Sequence, residues 1–243
     1  MIKKTNPEDL LAQGIHLGHK SAKVHPRAKQ YIYKIERGVA IIDLFKTATY
    51  LDKAKEFVFD LGKQNKSLLV LTTKNQVKNL VKELCQNQIK NDENGHILYI
   101  TNKWVGGFLT NFEEVSKNIK KANQLKKEKK EGAWDTFPKH ERVKFEKKLR
   151  RILSIYQGVE KIEKLPDALF IIDVKRENNA VLEAQQKNIP IVAIADTDAN
   201  PDPITYPIPA NDDAVTSVKY ITEQILDAYN KGRKAAEKSK IKG

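Results

Sequence analysis

The chain is poor in the residues and motifs that most often carry chemistry. Its one cysteine, Cys85, cannot form an internal disulfide and has no second thiol to assist it. Lying in a polar helical stretch, it reads as a small semi-buried apolar side chain in a reducing setting. No window reaches the roughly 18 apolar residues of a membrane span. The opening residues MIKKTNPEDL lack the apolar run of a signal peptide, so a soluble intracellular protein without a membrane partner is expected. Phosphate loops of the G-x-x-x-x-G-K-S/T or G-x-G-x-x-G kind are absent, as is a G-x-S-x-G nucleophile elbow.

What is abundant is positive charge, and it is unevenly distributed. The formal net charge is +13, but residues 165–230 hold four Lys or Arg against eleven acids. Residues 1–38 hold eight against three, 113–164 sixteen against nine, and 231–243 six against one. A uniform lysine bias does not produce such an alternation. Basic ends and a basic middle around an acidic lobe fit a polyanionic partner, nucleic acid ahead of an anionic membrane.

The hydrophobic pattern predicts a parallel α/β fold. Apolar runs at 67–71, 97–100, 168–172 and 191–195 read as strands buried on both faces, alternating with helical patterns at 75–86, 179–187 and 214–229. Such alternation predicts a parallel sheet with right-handed crossovers and helices on both faces. Ahead of it, Asn6 and Pro7 open a short helix, and residues 31–35 and 39–42 form a hairpin closed by Glu36, Arg37 and Gly38. A helix over 45–62 is stopped by Gly62. Residues 14–33, with two glycines, three histidines and a proline, read as an extended loop.

The regular alternation is interrupted over 111–160. Two helical stripes there, Val115, Ile119, Ala122, Leu125 and Phe145, Leu149, Ile152, Tyr156, are separated by GAWDTFP. Stripes that narrow predict an antiparallel helical hairpin, a coiled coil, inserted into one α/β domain made of 1–110 and 161–230. Residues 231–243 lack apolar periodicity and are expected to be a disordered basic tail.

Two groups of residues suggest chemistry. At the carboxyl edge of the sheet, His16 with Asp196 and Asp212 could hold a divalent ion such as zinc. The same acids could instead serve as caps and turns: Asp212 or Asp213 as the N-cap before Ala214, and Asp173 bonding its own turn. A metal-dependent hydrolase built on that cluster is a rival functional class, but no nucleophile or cofactor motif supports it. Along the N-terminal loop, Lys20, Lys23, Arg27 and Lys29 lie within ten residues and are candidate phosphate contacts. Tyr31 and Tyr33, which follow, read as core residues of a strand. In NKWVGGFLTNF, Gly106 and Gly107 after a strand and Trp104 can let backbone approach backbone or a ligand closely, which alone is weak evidence of a site.

Five segments carry a resemblance: GIHLGHKSAKVHPRAKQYIY, GVAIIDLFKT, NKWVGGFLTNF, LPDALFIID and IPIVAIADTDANPD followed by YPIPANDDA. In this order, over about residues 8 to 230, they resemble the signature blocks of the bacterial family of the second protein of the small ribosomal subunit. The resemblance implies a flavodoxin-like doubly wound sheet, no catalysis, and no required cofactor. It further implies binding to small-subunit ribosomal RNA and to other small-subunit proteins, including the large messenger-binding protein that it helps to anchor. A cytoplasmic, ribosome-bound protein is then expected, with Lys20, Lys23, Arg27, Lys29 and Lys103 at the RNA and Trp104, Gly106 and Gly107 in a tightly packed turn near it. Where the family often carries an arginine pair and a tryptophan, this chain has Ala22, Lys23 and Val24, and Lys103 stands where an arginine is common. Lysine keeps the point charge but loses the planar fork. A free RNA-binding regulator would share this chemistry and differ in not sedimenting with ribosomes.

Overall fold

The computed structural model describes residues 3–89 and 96–241. Within them the chain runs α1 (Pro7–Ala12), β1 (Leu17–Lys20), β2 (Ile32–Glu36), β3 (Val39–Ile42), α2 (Leu44–Lys63), β4 (Leu68–Leu71), α3 (Lys78–Ile89) and β5 (Ile97–Ile100). It continues through α4 (Phe112–Lys130), α5 (Lys139–Tyr156), β6 (Ala168–Ile172), α6 (Asn178–Gln186), β7 (Ile191–Ala195), β8 (Tyr206–Pro209) and α7 (Val215–Ile241).

The central sheet has the order β5-β4-β6-β7-β8, every neighbouring pair parallel. In chain order this is 2-1-3-4-5, the flavodoxin-like arrangement, with its reversal of direction between β4 and β6. Successive strand residues face opposite layers. Leu68, Val70, Phe170, Ile172, Val192 and Ile194 pack on one side with α2, α3 and α7. Leu69, Leu71, Leu169, Ile171 and Ala193 pack on the other with α6 and the sheet-proximal ends of α4 and α5. Burial on both faces is why these strands are uninterrupted apolar runs. Cys85 is fully buried in the first layer, where desolvation pushes its thiol up to about 12.

The fifth strand, β8, was not expected, because YPIP contains Pro207 and Pro209. It lies on the sheet edge, where a missing backbone N–H deprives no further neighbour of a bond. A second, three-stranded antiparallel sheet has the order β1-β3-β2. Part of the expected loop is thus strand β1, followed by 3-10 turns at Ser21–Lys23 and Pro26–Tyr31. Positive φ at Arg37 and Gly38 closes the β2–β3 hairpin. The two tyrosines part company: Tyr31 is buried edge-on against Tyr50, at 5.3 Å between ring centres, while Tyr33 is 71% exposed.

Two expectations for helices α2 and α7 are corrected. Gly62 does not stop α2, which runs to Lys63 and turns out through Asn65 in the left-handed region. Gly62 instead lies against α7, where a Cβ would collide with the Tyr229 carbonyl. The expected disordered tail over 231–243 is helical as far as Ile241, with residues 242–243 outside the described residues. Gly232 allows this by resting on the Phe59 carbonyl of α2, and Ala236 is buried beyond it.

Helices α4 and α5 form an antiparallel pair with a small core of its own, Leu125, Trp134 and Leu149, flanked by Phe145 and Ile152. Gly132, at φ +74°, turns the chain out of α4. Lys129 Nζ donates to Glu146 Oε1 across the pair at 2.9 Å.

Candidate functional site

The N-terminal loop folds back over the carboxyl edge of the central sheet, and Thr197, just after β7, holds it there. Thr197 Oγ1 accepts from the His19 amide at 2.8 Å, and its carbonyl accepts from the His25 amide at 2.8 Å. Gly18 permits the approach, since a Cβ there would meet both Cγ2 and Oγ1 of Thr197. Asn211, after β8, donates its amide to the Ile15 carbonyl at 3.1 Å. The loop that carries Lys20, Lys23, Arg27 and Lys29 is therefore seated on the ends of β7 and β8.

Beneath it lies a mixed charge cluster drawn from the ends of four strands. Lys74, after β4, reaches Asp212 at 2.7 Å, Asp213 at 2.6 Å and Asp173 at 3.4 Å. Burial weakens its ammonium, but the surrounding carboxylates outweigh that and hold its pKa well above the ordinary lysine value. Burial, reinforced by Asp173 and Asp196, raises Asp212 to about 7 against the pull of Lys74. His19 Nδ1 stands 3.3 Å from Asp196 Oδ1, with Asp213 and Asp198 at 3.5 and 3.8 Å from Nε2. The adjacent Asp196 carboxylate is the main cause that raises His19 to about 9 against its partial burial, which favours the imidazolium at neutral pH. Lys175 closes the cluster on Asp198 at 2.8 Å.

The metal expectation had chosen the wrong histidine and overlooked the lysine. His19, not His16, faces Asp196, and the Lys74 ammonium sits where a cation would bridge Asp212 and Asp213. Among the described residues no group of three or more His, Cys, Asp or Glu is arranged to hold a metal ion. The capping expectation is half right. Asp173 does bond its own turn, accepting from the Arg176 amide at 2.9 Å. The amides ahead of α7, those of Asp213 and Ala214, are instead accepted by Asn211 Oδ1, which leaves both neighbouring aspartates to Lys74.

Two buried glutamates of the α6 region shape the other loops of this edge. Glu177 Oε1 accepts from the amide and hydroxyl of Thr73, at 2.7 and 2.6 Å. Glu183 accepts from Trp104 Nε1, the Gly107 amide and the Leu109 amide, each at 2.9 Å, and from the Thr110 amide at 3.3 Å. Burial alone would raise the Glu183 pKa, but these donors together hold it below the ordinary value. Gly107 supplies the positive φ, +85°, that lets the turn wrap the carboxylate.

Of the expected RNA contacts, Lys20, Lys23, Lys29 and Lys103 are exposed. Arg27 is also exposed and leans on Asp202 at 3.2 Å, a surface pair worth little energetically. Trp104, at 9% exposure, tilted on Phe108 at 5.0 Å between rings and bonded to Glu183, builds the tightly packed turn that was expected of it. Gly107 does the same, while Gly106 and Lys103 remain on the surface. Lys74, Glu183 and Thr197 escaped the sequence reading, because each looks like an ordinary surface residue until the loops are folded.

Among the described residues the arrangement offers no nucleophile beside a base and no phosphate-cradling glycine loop. It offers an exposed basic loop fastened to an acidic edge whose charge Lys74, His19 and Lys175 offset in part. The sequence profile of the family described as Ribosomal protein S2 matches residues 10–232. The chain is 38% identical over 231 residues to the Small ribosomal subunit protein uS2 of Dictyoglomus turgidum (strain DSM 6724 / Z-1310), covering 95% of this chain and 91% of that relative. The same identity and coverage hold for the Small ribosomal subunit protein uS2 of Dictyoglomus thermophilum (strain ATCC 35947 / DSM 3960 / H-6-12).

Proposed function

The chain belongs to the ribosomal protein S2 family, and from that premise we propose that it holds small-subunit ribosomal RNA through the exposed cations of its N-terminal loop and helical hairpin. As a member of a family of structural ribosomal components it is not an enzyme. In this reading it sits on the small subunit in the cytoplasm, contacts neighbouring small-subunit proteins and helps to anchor the large messenger-binding protein. The observation that carries it is the match along 95% of the chain to proteins named for the small subunit.

Electrostatics support the RNA partner. Lys74, His19 and Lys175 offset part of the negative charge of the carboxyl edge, and the exposed cations of the loop stand above it where a polyanion can reach them. Among the described residues no helix is long and apolar enough to cross a membrane.

The test is sedimentation of tagged protein from a lysate through a gradient at moderate and high salt. Co-migration with small subunits, weakened as salt rises, is the expected result. Migration as a free protein at both salt concentrations would overturn the ribosomal placement and favour a free RNA-binding regulator.

A further inference from the structure

The α4/α5 hairpin has two flanks with different charge economies. On one, the cations are engaged. Lys126 Nζ donates to Glu160 Oε2 at 2.7 Å, Asn123 Nδ2 to the Glu160 carbonyl at 2.9 Å, and Lys129 Nζ to Glu146 Oε1 at 2.9 Å. Glu146 also stands 4.0 Å from Arg150. These bonds join α4 to α5 and to the segment after α5, so this flank fastens the hairpin.

The other flank is different. Lys121 lies two residues from Asn123, and Lys148 two from Glu146, about 200° around each helix and so on the far side from the engaged groups. Lys144, Lys148 and Arg151, at i, i+4 and i+7, line one face of α5. All four cations are exposed, and none has a carboxylate partner among the described residues. The acids of α4 nearest this side are already occupied: Glu114 accepts from Lys117 at 2.6 Å and Glu128 from Gln124 at 2.9 Å. Lys121 and Lys148 come close enough across the pair that the Lys148 ammonium is weakened by its neighbour. Two like charges held together with no acid between them form a place where an anion relieves repulsion.

We propose that this flank, Lys121, Lys144, Lys148 and Arg151, is a phosphate-binding ridge that follows the RNA backbone, while the opposite flank only fastens the hairpin. The proposal rests on ribosomal RNA being the partner and adds the side of the hairpin that meets it. From Lys144 to Arg151 the ridge runs about 10 Å, enough to span neighbouring phosphates of one strand. Four point charges without a planar pocket read phosphate rather than base, so the contact is sequence-independent.

The experiment is filter binding to transcribed small-subunit ribosomal RNA over a salt series. It uses wild type, Lys121→Ala/Lys148→Ala, Lys126→Ala/Lys129→Ala, and the charge-keeping Lys121→Arg/Lys148→Arg. The ridge variant is expected to bind several-fold more weakly at low salt, with the log–log salt slope reduced by about 1.4, two phosphates at roughly 0.7 each. The arginine variant should keep wild-type affinity, and Lys126→Ala/Lys129→Ala the wild-type slope. Equal slopes for wild type and the ridge variant, or equal losses in both alanine variants, would overturn the sidedness while leaving RNA binding intact. Unchanged RNA binding with loss of an acidic protein from reconstituted particles would also overturn it. Failure of wild type to bind at all would instead strike the underlying RNA reading.

Discussion

Trp104 Nε1 donates to Glu183 Oε1 at 2.9 Å, and the same carboxylate collects the amides of Gly107, Leu109 and Thr110. A single buried side chain on α6 therefore ties together the turn after β5 from Trp104 to Thr110. Glu183→Gln replaces one acceptor oxygen by an NH2 that must face backbone N–H groups. The expected cost is about 2–3 kcal/mol, since charged hydrogen bonds are lost and donors are left unpaired. Trp104 fluorescence, read in a Trp134→Phe background, should report loosening of the turn. The pH dependence has a definite sign. Glu183 is depressed in the folded state, so its contribution is present above the ordinary glutamate value near 4.3 and is lost as pH falls through the folded pKa. The stability gap between wild type and variant should close on acidification; a gap constant from pH 7 to pH 3 would contradict the assignment.

Gly62 of α2 and Gly232 of α7 form a reciprocal close crossing, each facing a carbonyl of the other helix. On an exposed helix, glycine to alanine stabilises by roughly 0.8–1 kcal/mol through propensity. Here the sign should reverse. Overpacking costs about 1–3 kcal/mol, so Gly62→Ala and Gly232→Ala should each lower the melting temperature by several degrees. A rise in either would show that the helices separate freely.

The strands LLVL, ALFII and IVAIA were legible because burial on both faces writes itself as an apolar run. The YPIP strand was not, because its prolines are tolerated only by virtue of its edge position, which is a property of the sheet. The end of α7 was hidden for a similar reason: Gly232 and its lysines read as a coil unless α2 is beside them. In the site, the sequence identified the acids and the basic loop but not their pairing. His16 and His19 are three apart, and the choice between them follows from the β1–β3 register and the Thr197 bond to the His19 amide. Lys74 follows a strand as many surface lysines do, and only the convergence of Asp173, Asp212 and Asp213 from β6 and β8 makes it a buried ion.

That buried ion is open to a double-mutant cycle. Lys74→Met should destabilise by about 3 kcal/mol or more, because removing one partner leaves buried carboxylates uncompensated. Asp212→Asn in the Lys74→Met background should recover part of the loss, with a coupling of at least about 1 kcal/mol by chemical denaturation. Additive effects would mean that Asp212 is not the partner the 2.7 Å contact indicates.

The basic loop gives a prediction that separates its role from that of the hairpin. Lys20, Lys23, Arg27 and Lys29 are all exposed; Arg27 makes a surface pair with Asp202, and Lys23 acts on Asp213 through space. Replacing all four with alanine should therefore leave the thermal midpoint within a few degrees of wild type, as exposed pairs contribute little. Binding is a different matter. If each cation neutralises one phosphate, the log–log salt slope for small-subunit ribosomal RNA should flatten by as much as about 2.8, four times roughly 0.7. The loop is seated on the sheet edge through backbone and Thr197 bonds that the substitutions leave intact, so a change in slope would report lost charge contacts and not a displaced loop. Combined with the hairpin substitutions, the losses should add, because the two groups share no partner. An unchanged slope in a folded variant would remove the loop from the interface and leave the hairpin ridge as the principal basic contact.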